Sequence, residues 1–310
     1  MIRQFAADAL FFRGTELLQA GKPDQALWYL RFAARLARSN AVYCGAAALA
    51  AYKAGAVNAA VRYAERALEL NRELDSARDL LGAMFLHGEP YLEVLRRLHQ
   101  HLAPRTYLEI GVETGLSLKV VAPGTRTLAV DPAPQVPYAL PANVRLFRET
   151  SDDFFARHDV RAELGGLPID LAFIDGMHHF ECALRDFMNV ERWSAPESTI
   201  VLDDCFPRDR LTAERERHMG FWSGDVWKVV VLLKKYRPGL AIHTIAAPPT
   251  GLCIVRRLDP ASRFIADNLA RLVDEFMALD YSHLEKNRAA KLNLLPNDWE
   301  RVRPLLASAR

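Results

Sequence analysis

Apolar positions in the first hundred residues recur at helical spacing, in LLQAGKPDQALWYLRFAARLA (Leu17 to Ala37) and again in AAYKAGAVNAAVRYAERALEL (Ala50 to Leu70). That period predicts amphipathic helices with one packed stripe each. The two segments align at an offset of 34 residues: Ala20-Gly21 falls on Ala54-Gly55, Ala26 on Ala60, Tyr29 on Tyr63, Ala33 on Ala67 and Leu36 on Leu70. Gly suits the left-handed cap that ends a helix, and Pro23 suits the first turn of the next one. From Arg105 the pattern changes to short β-branched or aliphatic runs, TYLEIG, RTLAVD, NVRLFR, IDLAFID and STIVLDD, separated by polar or helical stretches. Such alternation predicts a mostly parallel sheet covered on both faces. Four of these runs end in or near an acid, and ligands of open α/β sheets bind outside the carboxyl ends of the strands, so the acids converge on one rim. A helix is expected from about Asp225 to Tyr236. LAIHTIAA and GLCIVRR then form a closing hairpin, with the reversal at PPTG, Pro248 to Gly251.

The 34-residue period resembles the tetratricopeptide repeat. A third, degraded copy is expected from near Asp75, with Gly82 in the small-residue slot of Ala48. The alternative is an alanine-rich bundle with chance periodicity. In either case the segment is helical, lacks a catalytic constellation, and has interaction as its expected role, with a protein partner or with another copy. The hairpin behind five strands is similar to the class I methyltransferase fold. The expected fold is therefore α/β: a seven-stranded, mostly parallel, Rossmann-like sheet in residues 101–259, preceded by a helical repeat domain in 1–100 and followed by a helical extension in 260–310.

Composition narrows the partners. The 310 residues are 50% apolar and 25% charged, ordinary for a globular chain. The balance of 40 Lys+Arg against 38 Asp+Glu leaves a net charge of +2, too small to indicate nucleic acid or an acidic membrane as partner. No stretch approaches the ~18 uninterrupted apolar residues of a membrane span, and Arg3 and Asp8 stand where a signal peptide would be apolar. A cytoplasmic protein is expected. Cys44, Cys182, Cys205 and Cys253 form no C-x-x-C pair, which fits a reducing compartment.

The loop YLEIGVETGLS, Tyr107 to Ser117, is a strand running into a glycine turn. A dinucleotide fingerprint needs a second glycine two residues after the first, and Glu113 stands there instead, where its charge would repel a diphosphate. The pattern Glu109-x-Gly111-x-x-x-Gly115 resembles the first motif of S-adenosylmethionine-dependent methyltransferases. Their cofactor has no phosphate and carries a cationic sulfonium. Asp131 ends RTLAVD, 22 residues after Glu109, where an acid accepts hydrogen bonds from both ribose hydroxyls; the alternative is a strand-end turn with Pro132. Glu109 is expected to face the methionine amino group. Ser117 completes the motif, and Ser151 lies where such enzymes commonly contact adenine.

IDLAFIDGMHHFE (Ile169 to Glu181) ends a strand at Asp175, and STIVLDD ends the next at Asp203 and Asp204. Neighbouring strands lie about 4.8 Å apart, so three carboxylates there repel unless a cation sits between them. A hard divalent ion, Mg²⁺ most simply, answers that repulsion. Adjacent residues of a regular strand point to opposite faces, so Asp203 and Asp204 both ligate only if the chain has already left the strand. With a helix beginning at Gly176, the His178 imidazole would sit over the same rim as a base for a hydroxyl proton; His179 competes for that role.

The combination E-I-G-x-x-x-G-x-S, I-D-G-x-H and a D-D strand end resembles the metal-dependent O-methyltransferases of the macrocin and mycinamicin type, over roughly Arg105 to Arg257. The resemblance implies Asp175, Asp203 and Asp204 as Mg²⁺ ligands, His178 as general base, S-adenosylmethionine as cofactor, and a hydroxyl on a small molecule or sugar as acceptor. The related catechol type has Lys and Asn where this chain has His178 and an Asp. GDVWK, Gly224 to Lys228, is similar to sequences of the same broad family, with no mechanism legible in it. The other reading of the chain is an adaptor with a helical repeat and an inactive cofactor domain. Phe206 to Gly224, with Arg208, Arg210, Arg215 and Arg217 beside Asp209, Glu214 and Glu216, then His218, Phe221 and Trp222, is expected either to close over the site with an aromatic wall or to form a short solvated helix.

Overall fold

A computed structural model describes residues 2–217 and 222–307. The chain divides into two compact units, Met1–Phe85 and Leu86–Arg310. The first is all-helical: α1 (Ile2–Gln19), α2 (Pro23–Leu36), α3 (Ala41–Lys53), α4 (Val57–Leu70) and α5 (Asp75–Phe85). Consecutive helices pack against one another. The small side chains explain the close approach, because Ala26, Ala33, Ala47, Ala60 and Ala67 are completely buried. Pro23 opens α2, and the Asn40 side chain caps α3 by accepting from the backbone N–H groups of Val42 (3.0 Å) and Tyr43 (3.2 Å).

The second unit opens with α6 (Tyr91–Leu102), a helix that the sequence had grouped with the first hundred residues. Then come β1 (Thr106–Ile110), β2 (Arg126–Val130), β3 (Val144–Phe147), α7 (Ser151–Arg157), α8 (Val160–Glu163), β4 (Ile169–Ile174), α9 (Phe180–Trp193) and β5 (Ser194–Leu202). After a long connection follow α10 (Trp227–Tyr236), β6 (Ala241–Ile245), β7 (Leu252–Arg256), α11 (Phe264–Met277), α12 (Ser282–Glu285), α13 (Arg288–Lys291), β8 (Leu294–Leu295) and α14 (Trp299–Val302). No described helix is long and apolar enough to cross a membrane.

The strand order is β3-β2-β1-β4-β5-β7-β6-β8. Strands β1 to β5 run parallel to one another, β7 is antiparallel to both β5 and β6, and β8 is parallel to β6. Two expectations are corrected. The sheet is mixed and has eight strands, not seven, and the segment after residue 259 is not wholly helical, because it supplies the eighth strand. Two residues are too short to show a period; Leu294–Leu295 is held at the edge by the turn before it, where the Lys234 ammonium donates to the carbonyls of Ala290 and Lys291 and to the Asn293 side chain. Strand β1 is buried throughout and β4 and β5 are buried over their carboxyl-terminal halves, with Tyr107, Leu171, Phe173 and Val201 in one core cluster that α6 joins through Leu95 and Leu98.

Candidate active site

One row of the sheet register builds the site. Ile110 pairs with Val130 of β2 and with Ile174 of β4, and Ile174 pairs with Leu202 of β5. The next residue on each strand is Gly111, Asp131, Asp175 or Asp203. The ladder continues one bond further, from Gly111 N–H to the Val130 carbonyl (2.9 Å), Asp175 N–H to Ile110 (2.8 Å) and Asp203 N–H to Ile174 (3.0 Å). Strand order reverses between β1 and β4, the place where open α/β sheets hold ligands.

The Asp131 carboxylate pins the glycine loop. One oxygen accepts from the N–H groups of Val112 (2.8 Å) and Glu113 (2.9 Å), the other from Ala133 (2.7 Å). The strand-end turn and the loop anchor are thus the same group. Gly111 has φ of 85°, and a Cβ there would lie 1.8 Å from the Asp175 carbonyl oxygen, so only glycine lets β1 and β4 close at this point. The Tyr138 hydroxyl donates to the carbonyl of Gly115.

Glu109 does not face an open crevice. Its side chain is wholly buried and accepts from the Tyr107 hydroxyl (2.7 Å) and the Ser117 hydroxyl (2.6 Å), so Ser117 is turned inward as well. Burial pushes the Glu109 carboxyl up to about 8, against the two hydrogen bonds. Ser151 opens α7 and hydrogen-bonds the buried carboxyl of Asp186, itself raised to about 7, chiefly by burial.

The acids and histidine meet where β4 and β5 end. His178 Nε2 lies 3.5 Å from Asp175 Oδ1 and 3.0 Å from Asp204 Oδ2, and one ligand atom from each of the three fits within a 4.8 Å cluster. Asp203, expected as the third ligand, is not in that cluster. Asp203 still follows the strand ladder, whereas Asp204 has φ of 58° and has turned out of it, so the two side chains part. Asp203 Oδ1 is buried without a hydrogen-bond partner, and burial followed by the charges of Asp175 and Asp204 raises that carboxyl well above its ordinary range. Burial likewise raises Asp175, and raises Asp204 to about 6. For His178 burial opposes the charge, yet the Asp204 and Asp175 carboxylates and the Trp222 carbonyl outweigh it and lift the imidazole to about 10. The Nδ1 atom sits 2.9 Å from the Trp222 carbonyl, which only accepts, so Nδ1 carries a proton and Nε2 points at the two acids. In this arrangement an imidazolium supplies the positive charge that the carboxylates require.

The helix expected from Gly176 starts instead at Phe180, and the GDVWK run is what holds the intervening turn. A Cβ on Gly224 would lie 1.8 Å from the His178 carbonyl oxygen, and Asp225 N–H donates to that carbonyl at 3.2 Å. Asp225, 1% exposed, accepts from Phe180 N–H (2.7 Å) at the start of α9 and pairs with Arg215 (2.9 Å) and Lys228 (3.1 Å). The Trp222 ring stacks on the His178 ring at 4.9 Å and 21°. His179 points elsewhere, with Nε2 3.2 Å from the Arg215 carbonyl, outside the acid cluster.

The arginines of residues 206–224 are committed within the fold. Arg208 donates to the Pro249 carbonyl, Arg210 pairs with Asp280 and Glu285, and Arg215 pairs with Glu181 and Asp225. Arg217 is among the charges acting on Asp204. His218 and Phe221 lie outside the described residues. Three residues near the acids were not singled out from sequence. Thr250 hydrogen-bonds Asp204, Asp225 fixes the turn, and Tyr91 of α6 packs on Phe173 at 6.3 Å with its hydroxyl held neutral by burial and by the four nearby acids Asp175, Asp203, Glu109 and Asp204. Only Asp225 had a signal, its place in GDVWK.

No curated protein matches this sequence. Among solved structures the chain is similar to cofactor-bound Rv0187 from MTB (18% identity, TM-score 0.44, 59% of this chain and 89% of that one). It is also similar to the O-methyltransferase TomG from Streptomyces achromogenes in complex with SAM (16%, TM-score 0.42, 63% and 88%). A third is the O-methyltransferase from Bacillus cereus in complex with SAH (15%, TM-score 0.38, 57% and 86%). Residues 108–205 match the family described as a methyltransferase domain, a stretch that runs from β1 past the end of β5. Over those residues the chain is similar to methyltransferase domains.

Proposed function

We propose that the protein is an O-methyltransferase that works with a divalent cation, Mg²⁺ most simply, on a hydroxyl of a small molecule or sugar. The observation that carries the reading is the Asp175–His178–Asp204 cluster, set one strand from the glycine loop at the switch point of the sheet. S-Adenosylmethionine, when bound, supplies the methyl group. The donor set fits a hard cation: Asp175 and Asp204 offer carboxylate oxygens within one cluster, and beside it Asp203, outside the cluster, keeps a buried oxygen with no hydrogen-bond partner. Such a cation supplies positive charge that acidifies a nearby hydroxyl and replaces the charge now held by the His178 proton.

The chain's own groups do the rest. With its Nδ1 proton committed to the Trp222 carbonyl, neutral His178 presents Nε2 to take the acceptor's proton. Trp222 and the Gly224–Asp225 turn keep that ring in one orientation. Tyr91, whose hydroxyl stays protonated, is a donor beside the acids. Asp131 fixes the glycine loop and stands at the ribose end of the cofactor site, and Ser151 at its adenine end. In the helical unit, Gly21 and Gly55 share left-handed φ values of 70° and 75° at the 34-residue offset, and the matched pairs Ala26 with Ala60 and Ala33 with Ala67 are buried, which supports tetratricopeptide-like repeats with an association role. The test is transfer of labelled methyl from S-adenosylmethionine to a panel of catechols and hydroxylated sugars, with Mg²⁺ and with chelator. Chelator-sensitive transfer is expected. Transfer at full rate in chelator removes the cation, and transfer to nitrogen but not oxygen acceptors removes the O-methyl assignment.

A further inference from the structure

The helical unit holds a cavity of about 550 Å³ that methyl transfer does not use. Five arginines line it: Arg31 and Arg35 from α2, Arg38 in the turn that follows α2, and Arg62 and Arg66 from α4. No acid lines it. All five side chains are exposed, Arg66 pairs only with the neighbouring Glu69 (2.7 Å), and Arg35, Arg38 and Arg62 make no ion pair with a described residue. Tyr63 and Phe32 stand among them, with the Arg31 guanidinium 5.4 Å from the Phe32 ring. Like charges gathered around an aromatic-lined hollow are unfavourable without an anion, and guanidinium groups favour planar, bidentate carboxylates.

We infer that this groove binds an extended acidic peptide segment of a partner protein. The spacing selects that occupant. Positions four apart on a helix, such as Arg31 and Arg35 or Arg62 and Arg66, are separated by about 6 Å along the axis. Same-side residues of an extended peptide repeat every ~6.6 Å, so alternate acidic side chains meet successive guanidinium groups. A compact polyphosphate presents its charges more closely and reaches only part of the row. The inference builds on the association role proposed for the helices and adds the partner's chemistry.

The test uses the full chain and a short fluorescein-labelled peptide in which glutamate alternates with alanine around one central phenylalanine, read by fluorescence anisotropy. Saturable binding that weakens with added salt is expected, with no binding by the version carrying glutamine for every glutamate. The double variant Arg35→Glu/Arg62→Glu should bind at least about tenfold more weakly with an unchanged circular dichroism spectrum, since it sets like charges against the ligand. Arg301→Glu, an exposed change in the other unit, should bind like the parent. Equal binding by the double variant overturns the site, as does absence of peptide binding. Tighter binding of inorganic triphosphate that displaces the peptide reassigns the groove to a small anion and overturns the peptide. Self-association measured by sedimentation in the same samples separates these results from the broader association role, which stands if self-association persists without peptide binding.

Discussion

Replacing Asp225 by alanine tests whether the GDVWK turn fixes His178, the base proposed above. Asp225 is 1% exposed, and its carboxylate holds Phe180 N–H at 2.7 Å, the Lys228 ammonium at 3.1 Å and Arg215 at 2.9 Å. Lys228 is itself only 6% exposed, so truncation strands a buried cation and a helix-start donor together. Removing one partner of a buried pair costs about 3–5 kcal/mol. The Arg215 contact adds little, because Arg215 keeps Glu181. Asp225→Asn retains an acceptor for Phe180 but loses the charge, so a smaller loss is expected, while Asp170→Ala, which breaks a pair with the 63% exposed Arg105 side chain, should cost under about 1 kcal/mol. Urea unfolding followed by tryptophan fluorescence reads this directly, since Trp222 stacks on His178 and Trp227 is buried two residues after Asp225. Activity should fall through kcat with cofactor affinity kept, because the His178 carbonyl loses its anchored turn and not its ligand. A stability loss for Asp225→Ala below about 0.5 kcal/mol, or no greater than that of Asp170→Ala, would refute the reasoning.

Three further outcomes are expected. Gly111→Ala should destabilise by at least about 2 kcal/mol, from the left-handed φ and the 1.8 Å approach to the Asp175 carbonyl, and should weaken cofactor binding in calorimetry; a variant with parental stability contradicts the packing. Glu109, raised from 4.5 to about 8, contributes stability that is complete below pH 4.5 and is lost as pH rises toward 8. At pH 7 that amounts to about 3 kcal/mol relative to Glu109→Gln, so the stability gap between the two should widen from pH 5 to 8; a flat gap speaks against a neutral, buried carboxyl. His99 is buried against Tyr107, neither ring nitrogen has a partner, and burial lowers it to about 4. Its stability is present above pH 6.5 and lost as pH falls toward 4, so His99→Leu should gain about 2 kcal/mol on the parent at pH 5 relative to pH 7.5, and equal slopes in urea titrations contradict that.

Much of the second unit was legible because buried parallel strands announce themselves as short aliphatic runs. TYLEIG, RTLAVD, NVRLFR, IDLAFID and STIVLDD are β1 to β5, and LAIHTIAA and GLCIVRR are β6 and β7. Leu294–Leu295 was not legible, since a two-residue edge strand has no period and owes its place to β6. At the site, register brought Gly111, Asp131, Asp175 and Asp203 to one rim as the strand ends suggested. The roles of Asp203 and Asp204 were hidden because they depend on a single left-handed residue, and strand alternation alone leaves the choice open. Glu109 and Ser117 were expected at the cofactor but bond each other in the interior, a contact across eight residues that no spacing rule reveals. GDVWK was visible as a motif and mute as chemistry until Gly224 and Asp225 were seen against the His178 carbonyl.

The central claim is that the Asp175–His178–Asp204 cluster is a cation site attached to a methyl-transfer site. Calorimetric titration of Mg²⁺ into the protein saturated with S-adenosylhomocysteine tests it most directly, alongside Asp175→Ala and Asp204→Ala. One Mg²⁺ per chain is expected, with proton release as the cation takes over the charge of the His178 imidazolium, and with binding lost in both variants while S-adenosylhomocysteine affinity is kept. An absence of Mg²⁺ binding, or binding that survives both substitutions, would contradict the account.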